Sequence, residues 1–155
     1  MSLRVGIGYD SHRFAADGAA PLILGGVEIA AEGGLEGHSD ADVITHAVID
    51  ALLGSCGQGD IGARFPPGEE RWAGADSIGL LETVLAELGA DPVNVDVTVI
   101  CEEPKLGPHR EAIQRRLSEV LGAPVSIKAT TNEGMGAIGR GEGIAVMAVA
   151  MVASG

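Results

Sequence analysis

The sequence is poor in aromatic rings, thiols and positive charge, and each shortage excludes something. Only four of its 155 residues are aromatic, Tyr9, Phe14, Phe65 and Trp72. The core must therefore be built from Val, Ile, Leu and Ala, which pack through branched shape. Two cysteines, Cys56 and Cys101, lie far apart with no C-x-x-C spacing and no neighbouring His. That pattern argues against a disulfide framework or a cysteine-rich zinc site and fits a reducing, cytoplasmic setting. Ten Lys and Arg against 22 Asp and Glu leave a net charge of −12, a field that repels a nucleic-acid backbone or an anionic membrane. A phosphate compound bound here needs local neutralisation, most economically by divalent metal ions. The longest apolar run, Ile144 to Ala153, is about half the length of a membrane-spanning helix and reads as a buried strand. The first residues run directly into Leu3-Arg4-Val5-Gly6-Ile7, so no signal or transit peptide is expected.

What is abundant is glycine, 24 residues, in a chain that is 46% hydrophobic and 21% charged. Such a composition folds, and the glycines mark turns and places of close backbone approach. The length is that of one domain, 1–155, and no repeat, linker or charge block divides it. Leu3 to Tyr9 and Leu22 to Ile29 read as β segments, the second bent or bulged at Gly25-Gly26. From Ser39 the spacing turns helical, through Val43, Ala47 and Ala51 beside Ile44, Val48 and Leu52, with Ser39 or Asp40 as cap and Gly54 as stop. Gly54 to Gly74 shows no periodicity and reads as a long functional loop. A second helix spans about Asp76 to Leu88, capped by Asp76 or Ser77. Val93 to Ile100 alternates as a half-buried strand, Pro108 opens a third helix ending before Gly122, and Val125 to Ala129 and Ile144 to Val152 are strands. The order β-β-α-α-β-α-β-β predicts an α+β, sandwich-like fold: a mixed sheet backed by about three helices.

The chemistry-bearing residues cluster. Asp10-Ser11-His12 ends the first strand, where alternation points both outer side chains to one face. His38, Ser39, Asp42 and His46 follow at a helix start, with Asp42 and His46 one turn apart. Asp10, His12 and His46 would supply three N/O ligands and leave one tetrahedral position open, as catalytic zinc requires. Alone, D-x-H is more often a turn than a ligand pair, and Asp42/His46 could be only a surface pair. Joined to H-S-D-x-D-x-x-x-H, the pattern is far more specific. Gly59 to Pro66 surrounds Asp60 and Arg64 with small residues and suits a turn or a polyol or phosphate cradle. Lys128-Ala129-Thr130-Thr131-Asn132-Glu133 can hold a diphosphate and share a Mg²⁺ with it, or simply end a strand. Arg140 and Glu142, set among glycines, are either a surface ion pair or the lining of a shared cavity. His109 reads as solvent-facing structure.

These segments, from Gly8-Tyr9-Asp10-Ser11-His12 through Leu24-Gly25-Gly26-Val27, Gly37-His38-Ser39-Asp40-Ala41-Asp42-Val43, Gly59-Asp60-Ile61-Gly62, Asn94-Val95-Asp96-Val97-Thr98 and Lys128-Ala129-Thr130-Thr131 to Gly139-Arg140-Gly141-Glu142-Gly143, occur in order along nearly the whole chain. Together they resemble the 2-C-methyl-D-erythritol 2,4-cyclodiphosphate synthase family. The resemblance implies a homotrimer with active sites at subunit boundaries. It also implies conversion of 4-diphosphocytidyl-2-C-methyl-D-erythritol 2-phosphate to the cyclic diphosphate and CMP, a lyase step of non-mevalonate isoprene biosynthesis.

Carried across by position, it makes Asp10, His12 and His46 the ligands of one Zn²⁺ per subunit and Glu133 a ligand of Mg²⁺ or Mn²⁺ bound with the substrate diphosphate. His38 and Thr131 match the residues that steady the transition state. Asp10, His12, His38, Ser39, Asp60, Ile61, Gly62 and Phe65 match the substrate's phosphate and erythritol contacts. Cys101, Lys105, Leu106, Gly107, Ala129, Thr130, Thr131 and Glu133 match the walls of a cytidine pocket supplied by the neighbouring subunit. Arg140 and Glu142 match residues on a cavity along the trimer axis, where an isoprenoid diphosphate can sit. Pro67 stands where the family often has an acidic residue and Ala137 where it often has a bulky aromatic, which would widen that cavity. No nucleic acid or membrane partner is implied. A zinc phosphohydrolase, yielding a linear product, and a non-catalytic trimeric module that binds a nucleotide or isoprenoid diphosphate are the rival readings.

Overall fold

Alternation of Val95, Val97 and Val99 with polar residues builds the strand at the middle of the molecule, β4 (Asp91–Ile100) in a computed structural model that describes residues 1–155. Its antiparallel neighbour is the late apolar run, β6 (Gly143–Ser154), which pairs on its other edge with β1 (Ser2–Arg13). The β5 strand (Val125–Thr130) lies parallel to β4, giving a mixed sheet ordered β1-β6-β4-β5. A parallel neighbour requires a crossover. It is supplied by α4 (Arg110–Leu121), which buries Ile113, Leu117 and Leu121 and stops at left-handed Gly122.

The remaining helices share one side of the sheet with it. The α1 helix (Val43–Ser55) is apolar nearly all round and lies on β1 and β6, and α3 (Ser77–Glu87) packs outside it. One continuous core of 34 buried residues joins these elements, with Val, Ile, Leu and Ala predominating as the aromatic shortage required. No helix is long and apolar enough to cross a membrane.

Three expectations are sharpened or corrected. Of the bulge or bend expected at Gly25-Gly26 the structure has the bend, and it splits Leu22 to Ile29 into a hairpin, β2 (Leu22–Leu24) and β3 (Val27–Ala30), with the two glycines as its turn. Both glycines have positive φ, 59° and 73°, which is what a tight turn of this twist demands. The α1 cap is neither Ser39 nor Asp40 but Asp42, a fully buried carboxylate. It accepts hydrogen bonds from the Gly25 and Gly26 amides at 2.8 and 2.7 Å and from the Thr45 amide and hydroxyl at 3.0 and 2.8 Å. Asp42 therefore fastens the hairpin to the helix and is not half of a surface pair with His46. Burial pushes its pKa up, and the four donors pull against that shift.

The stretch after α1 is also more structured than its lack of periodicity predicts. It holds a single-turn α2 (Ile61–Arg64), capped by Asp60, and a 3-10 turn (Glu70–Trp72). Another single turn, α5 (Gly136–Gly139), precedes β6. The sheet is thus backed by three long helices as expected, with two one-turn helices that pattern reading cannot see because one turn shows no period.

Candidate functional site

The inward face of β1 carries Gly6, Gly8, Asp10 and His12 in succession, because strand side chains alternate. Without Cβ atoms, the two glycines let α1 lie directly on the strand. That approach carries His46, one turn into the helix, over the end of β1. His12 Nε2 lies 2.8 Å from Asp10 Oδ2, His46 Nδ1 lies 3.1 Å from the same oxygen, and the two ring nitrogens are 3.3 Å apart. Bonds of ~2.0 Å to a tetrahedral ion place neighbouring ligand atoms ~3.3 Å apart. The three atoms are therefore spaced as ligands of one ion, and they form a group able to hold a metal.

The electrostatics agree with the geometry. Burial raises the Asp10 pKa, but hydrogen bonds and charge from His12 and His46 outweigh it and hold the carboxyl at about 2. For His12, burial works against the charged ring, and the hydrogen bond to Asp10 overcomes it and moves the pKa up. The Glu36 carbonyl, 2.8 Å from His12 Nδ1, can only accept. It therefore fixes the proton on that nitrogen and leaves Nε2 aimed at the cluster. Outer partners of this kind orient metal-binding imidazoles. On the His46 side, Nε2 lies 2.8 Å from Ser77 Oγ and 3.0 Å from Ser39 Oγ.

Two cavities divide the residues singled out from the sequence. The first, about 200 Å³, brings together Asp10, His12, His38, Ser39, His46, Ile61, Gly62 and Phe65. Trp72, packed edge-on against Phe65 with ring centroids 4.8 Å apart, helps to wall it, as do Pro67 and Leu80. The second, about 430 Å³, brings together Cys101, Lys105, Leu106, Gly107, Ala129, Thr130 and Thr131. It opens at the carboxyl ends of parallel β4 and β5 and beside the start of α4, a position where ligands commonly bind in such sheets. Cys101 lines this cavity, and burial and the nearby Glu103 push its thiol up, against the thiolate form.

Other expected residues fall outside both cavities. Asp60 caps α2 through the Ala63 amide, Glu133 sits in the turn after β5 with φ of 54°, and Arg140 pairs with Glu142 at 2.6 Å. Glu142 and Ala137 border a third, smaller hollow near Arg13. His38 and Thr131, expected to act together, line different cavities of the one chain.

Sequence reading missed the supports of the site. Asp40 and Ser77 were visible only as helix caps, yet Ser77 bonds to both Asp40 and His46. Asp50, one turn beyond His46, accepts the Ile61 amide at 2.7 Å and so holds the Asp60-Ile61-Gly62 turn against α1. Burial raises the Asp50 pKa despite that bond. The spacing of His46 and Asp50 on one helix face was the available signal for the second of these.

Fold and site together define an α+β protein with a three-ligand candidate metal centre in one cavity and a helix-flanked ligand cavity at the ends of two parallel strands. The chain belongs to the YgbB family, whose model matches residues 3–153 and whose curated relatives are 2-C-methyl-D-erythritol 2,4-cyclodiphosphate synthases. The synthase of Symbiobacterium thermophilum is 57% identical over 155 residues, which cover 96% of this chain and 98% of that one. The bifunctional IspDF of Campylobacter jejuni superposes with a TM-score of 0.94 at 35% identity over 99% of this chain, which spans 43% of that longer protein. IspF of Plasmodium falciparum, solved as a CDP complex, superposes with a TM-score of 0.81 at 32% identity, covering 99% of this chain and 97% of the other.

Proposed function

We infer that the chain, as one domain over 1–155, cyclises 4-diphosphocytidyl-2-C-methyl-D-erythritol 2-phosphate to 2-C-methyl-D-erythritol 2,4-cyclodiphosphate with release of CMP. The reaction belongs to non-mevalonate isoprene biosynthesis in the cytoplasm. The observation that carries this reading is the convergence of Asp10, His12 and His46 at ligand spacing inside a small cavity. The chain's relatives are synthases of this name, and one was solved with CDP.

The substrate's 2-phosphate oxygen bonds to the β-phosphorus, the bond from that phosphorus to the bridging oxygen breaks, and the electron pair leaves with CMP. Both reacting groups are anions, so the barrier is mostly repulsion and the ordering of a flexible chain into a ring. Zn²⁺ held by Asp10, His12 and His46, and Mg²⁺ or Mn²⁺ held by Glu133 with the diphosphate, would supply the positive charge that offsets this repulsion. The protein itself orients. Ser39 and His38 face the cavity where the phosphate end belongs, and the Asp60-Ile61-Gly62 turn, fastened by Asp50, cradles the erythritol. Thr131, Thr130, Ala129, Lys105, Leu106, Gly107 and Cys101 form a pocket wide enough for the cytidine part. The attacking phosphate is already deprotonated, so no protein nucleophile or strong base is needed.

The active unit is a homotrimer in this reading. Two observations support it. His38 and Thr131 occupy separate cavities that adjacent subunits can bring face to face. The sheet face away from the helices carries an uncovered apolar stripe of Leu3, Val5, Ile7 and Tyr9 beside Met147 and Val149. Arg140 and Glu142 then border the axis, where an isoprenoid diphosphate is the fitting guest.

Phosphorus NMR of the purified protein with this substrate and Mg²⁺, beside a His46→Ala control, tests the reading. A cyclic diphosphate plus CMP, lost in the control, is the expected result. A linear phosphate product would instead make the chain a phosphohydrolase, and tight binding without turnover a binding module.

A further inference from the structure

The side of His46 away from the cluster is tied to a carboxylate through a single hydroxyl. Ser77, fully buried at the start of α3, has one hydroxyl hydrogen and stands between Asp40 Oδ1 and His46 Nε2. A carboxylate can only accept. The hydroxyl hydrogen therefore goes to Asp40, and the Ser77 oxygen has only lone pairs left to offer His46, 2.8 Å away. Nε2 must then be a donor, so once an ion replaces the proton that Asp10 Oδ2 draws to Nδ1, the ring keeps its proton on Nε2 and Nδ1 is bare. That bare nitrogen faces Asp10 Oδ2 and His12 Nε2. Ser39 Oγ, 3.0 Å from the same Nε2 and bonded to no other group, cannot impose a direction and follows the one set by Ser77.

Asp40 is itself held in place. Its second oxygen accepts the Ser77 amide at 3.0 Å, its first accepts the Asp42 amide at 3.2 Å, and its own amide bonds to the Ala75 carbonyl at 3.2 Å. The loop before α1 and the start of α3 are thus stitched together at the point where the chain of hydrogen bonds begins.

We propose that Asp40 and Ser77 are positioning residues that fix the tautomer of His46, so that Nδ1 is presented bare to the metal. This rests on the metal-centre reading above and assigns to two residues outside the ligand set the task of making one ligand competent. An imidazole locked in the opposite tautomer would point an N–H at the ion and could not bind it.

The test uses zinc affinity, measured by competition with a chromophoric chelator, and the ring nitrogens of His46, observed in a long-range proton–nitrogen NMR spectrum of the zinc-loaded protein. Loss of an outer partner typically weakens metal binding about 10- to 100-fold. Ser77→Ala and Asp40→Asn should both fall in that range with circular dichroism unchanged. The second variant is the sharper one: with its oxygen kept on the Ser77 amide, its NH2 takes the Oδ1 position at the loss of the long Asp42 bond and donates to the Ser77 hydroxyl, which turns its hydrogen toward His46 and reverses the tautomer. Asp76→Ala removes a cap from the same helix end, since Asp76 accepts the Ile78 amide at 3.1 Å, and should leave zinc affinity unchanged. In the wild type, His46 should carry its proton on Nε2. A bare Nε2 overturns the proposal whether or not the variants fold, as do zinc affinities of both variants within twofold of wild type, or an equal loss in Asp76→Ala. Failure of the wild type to bind zinc at all overturns the metal-centre reading together with this one.

Discussion

Gly8 and Ala47 meet with no side chain between them: a Cβ built on Gly8 would lie 1.9 Å from the Ala47 carbonyl oxygen, and one on Gly6 would lie 2.0 Å from that of Ala51. The candidate metal centre exists because of this approach. Asp10 and His12 continue the glycine face of β1, and His46 adjoins Ala47, so the distance between strand and helix sets the distance between ligands.

Gly8→Ala is therefore expected to push α1 off the strand and to cost stability at the upper end of about 1–3 kcal/mol. Zinc affinity should fall with it, because His46 moves with the helix. Urea unfolding and zinc titration check the two effects. Gly79→Ala, in α3 with nothing within 4 Å of the added atom, is the control and should stabilise by about 0.5–1 kcal/mol.

The metal-free cluster should leave a two-sided pH signature. Asp10 has its folded pKa lowered from 3.8 to about 2, so its contribution is present above 3.8 and lost as pH falls toward 2. His12 is raised above 6.5, so its contribution is full below 6.5 and lost as pH rises through the raised value. With a chelator present, stability to urea should peak between about pH 3.8 and 6.5. Asp10→Asn should flatten both limbs. Added zinc should stabilise most above that window, where it no longer competes with protons for the imidazoles.

Asp50→Ala removes the acceptor of the Ile61 amide, a bond of 2.7 Å. The Asp60-Ile61-Gly62 turn should loosen by about 1–2 kcal/mol, seen as roughly tenfold or faster hydrogen exchange at Ile61 by the same relation of energy to equilibrium. The core should be unaffected, because Asp50 is only half-buried.

The uncovered stripe gives the proposed trimer its own test. Ile7 pairs with Val149 and Tyr9 with Met147, so these four stand together on the outward face. Ile7→Asp should convert the proposed trimer to monomer in sedimentation with its circular dichroism intact, since the Ile7 side chain is 66% exposed on the outward face. An unchanged sedimentation coefficient would place the subunit contact elsewhere.

The legible parts of this protein were those with a local period or a local stop. Val95, Val97 and Val99 announced β4, and Gly122 ended α4 where its sequence said it must. The ligand triad was legible because D-x-H on a strand and His46 on a following helix are each simple spacings. What stayed hidden depended on contacts across the fold. Leu3, Val5, Ile7 and Tyr9 form the alternation that ordinarily marks a buried face, yet they face outward while Gly6 and Gly8 take the helix. Asp42 read as a partner of His46 because one helical turn separates them. Only the hairpin arriving from β2 and β3 gave its carboxylate somewhere else to go. Asp40 and Ser77 are 37 positions apart, beyond the reach of any spacing rule.

The pairing of Ser2 with Ser154 along the whole edge between β1 and β6 sets the order in which the molecule can assemble. All three candidate metal ligands lie within the first 46 residues, but the strand that carries two of them has its partner in residues 143–154. Closing so long a loop is slow, because its entropy is lost before the contacts that repay it form. The edge of β1 that aligns Asp10 and His12 is completed only by β6, so an ion held by these ligands would be gripped in full only once β6 has docked.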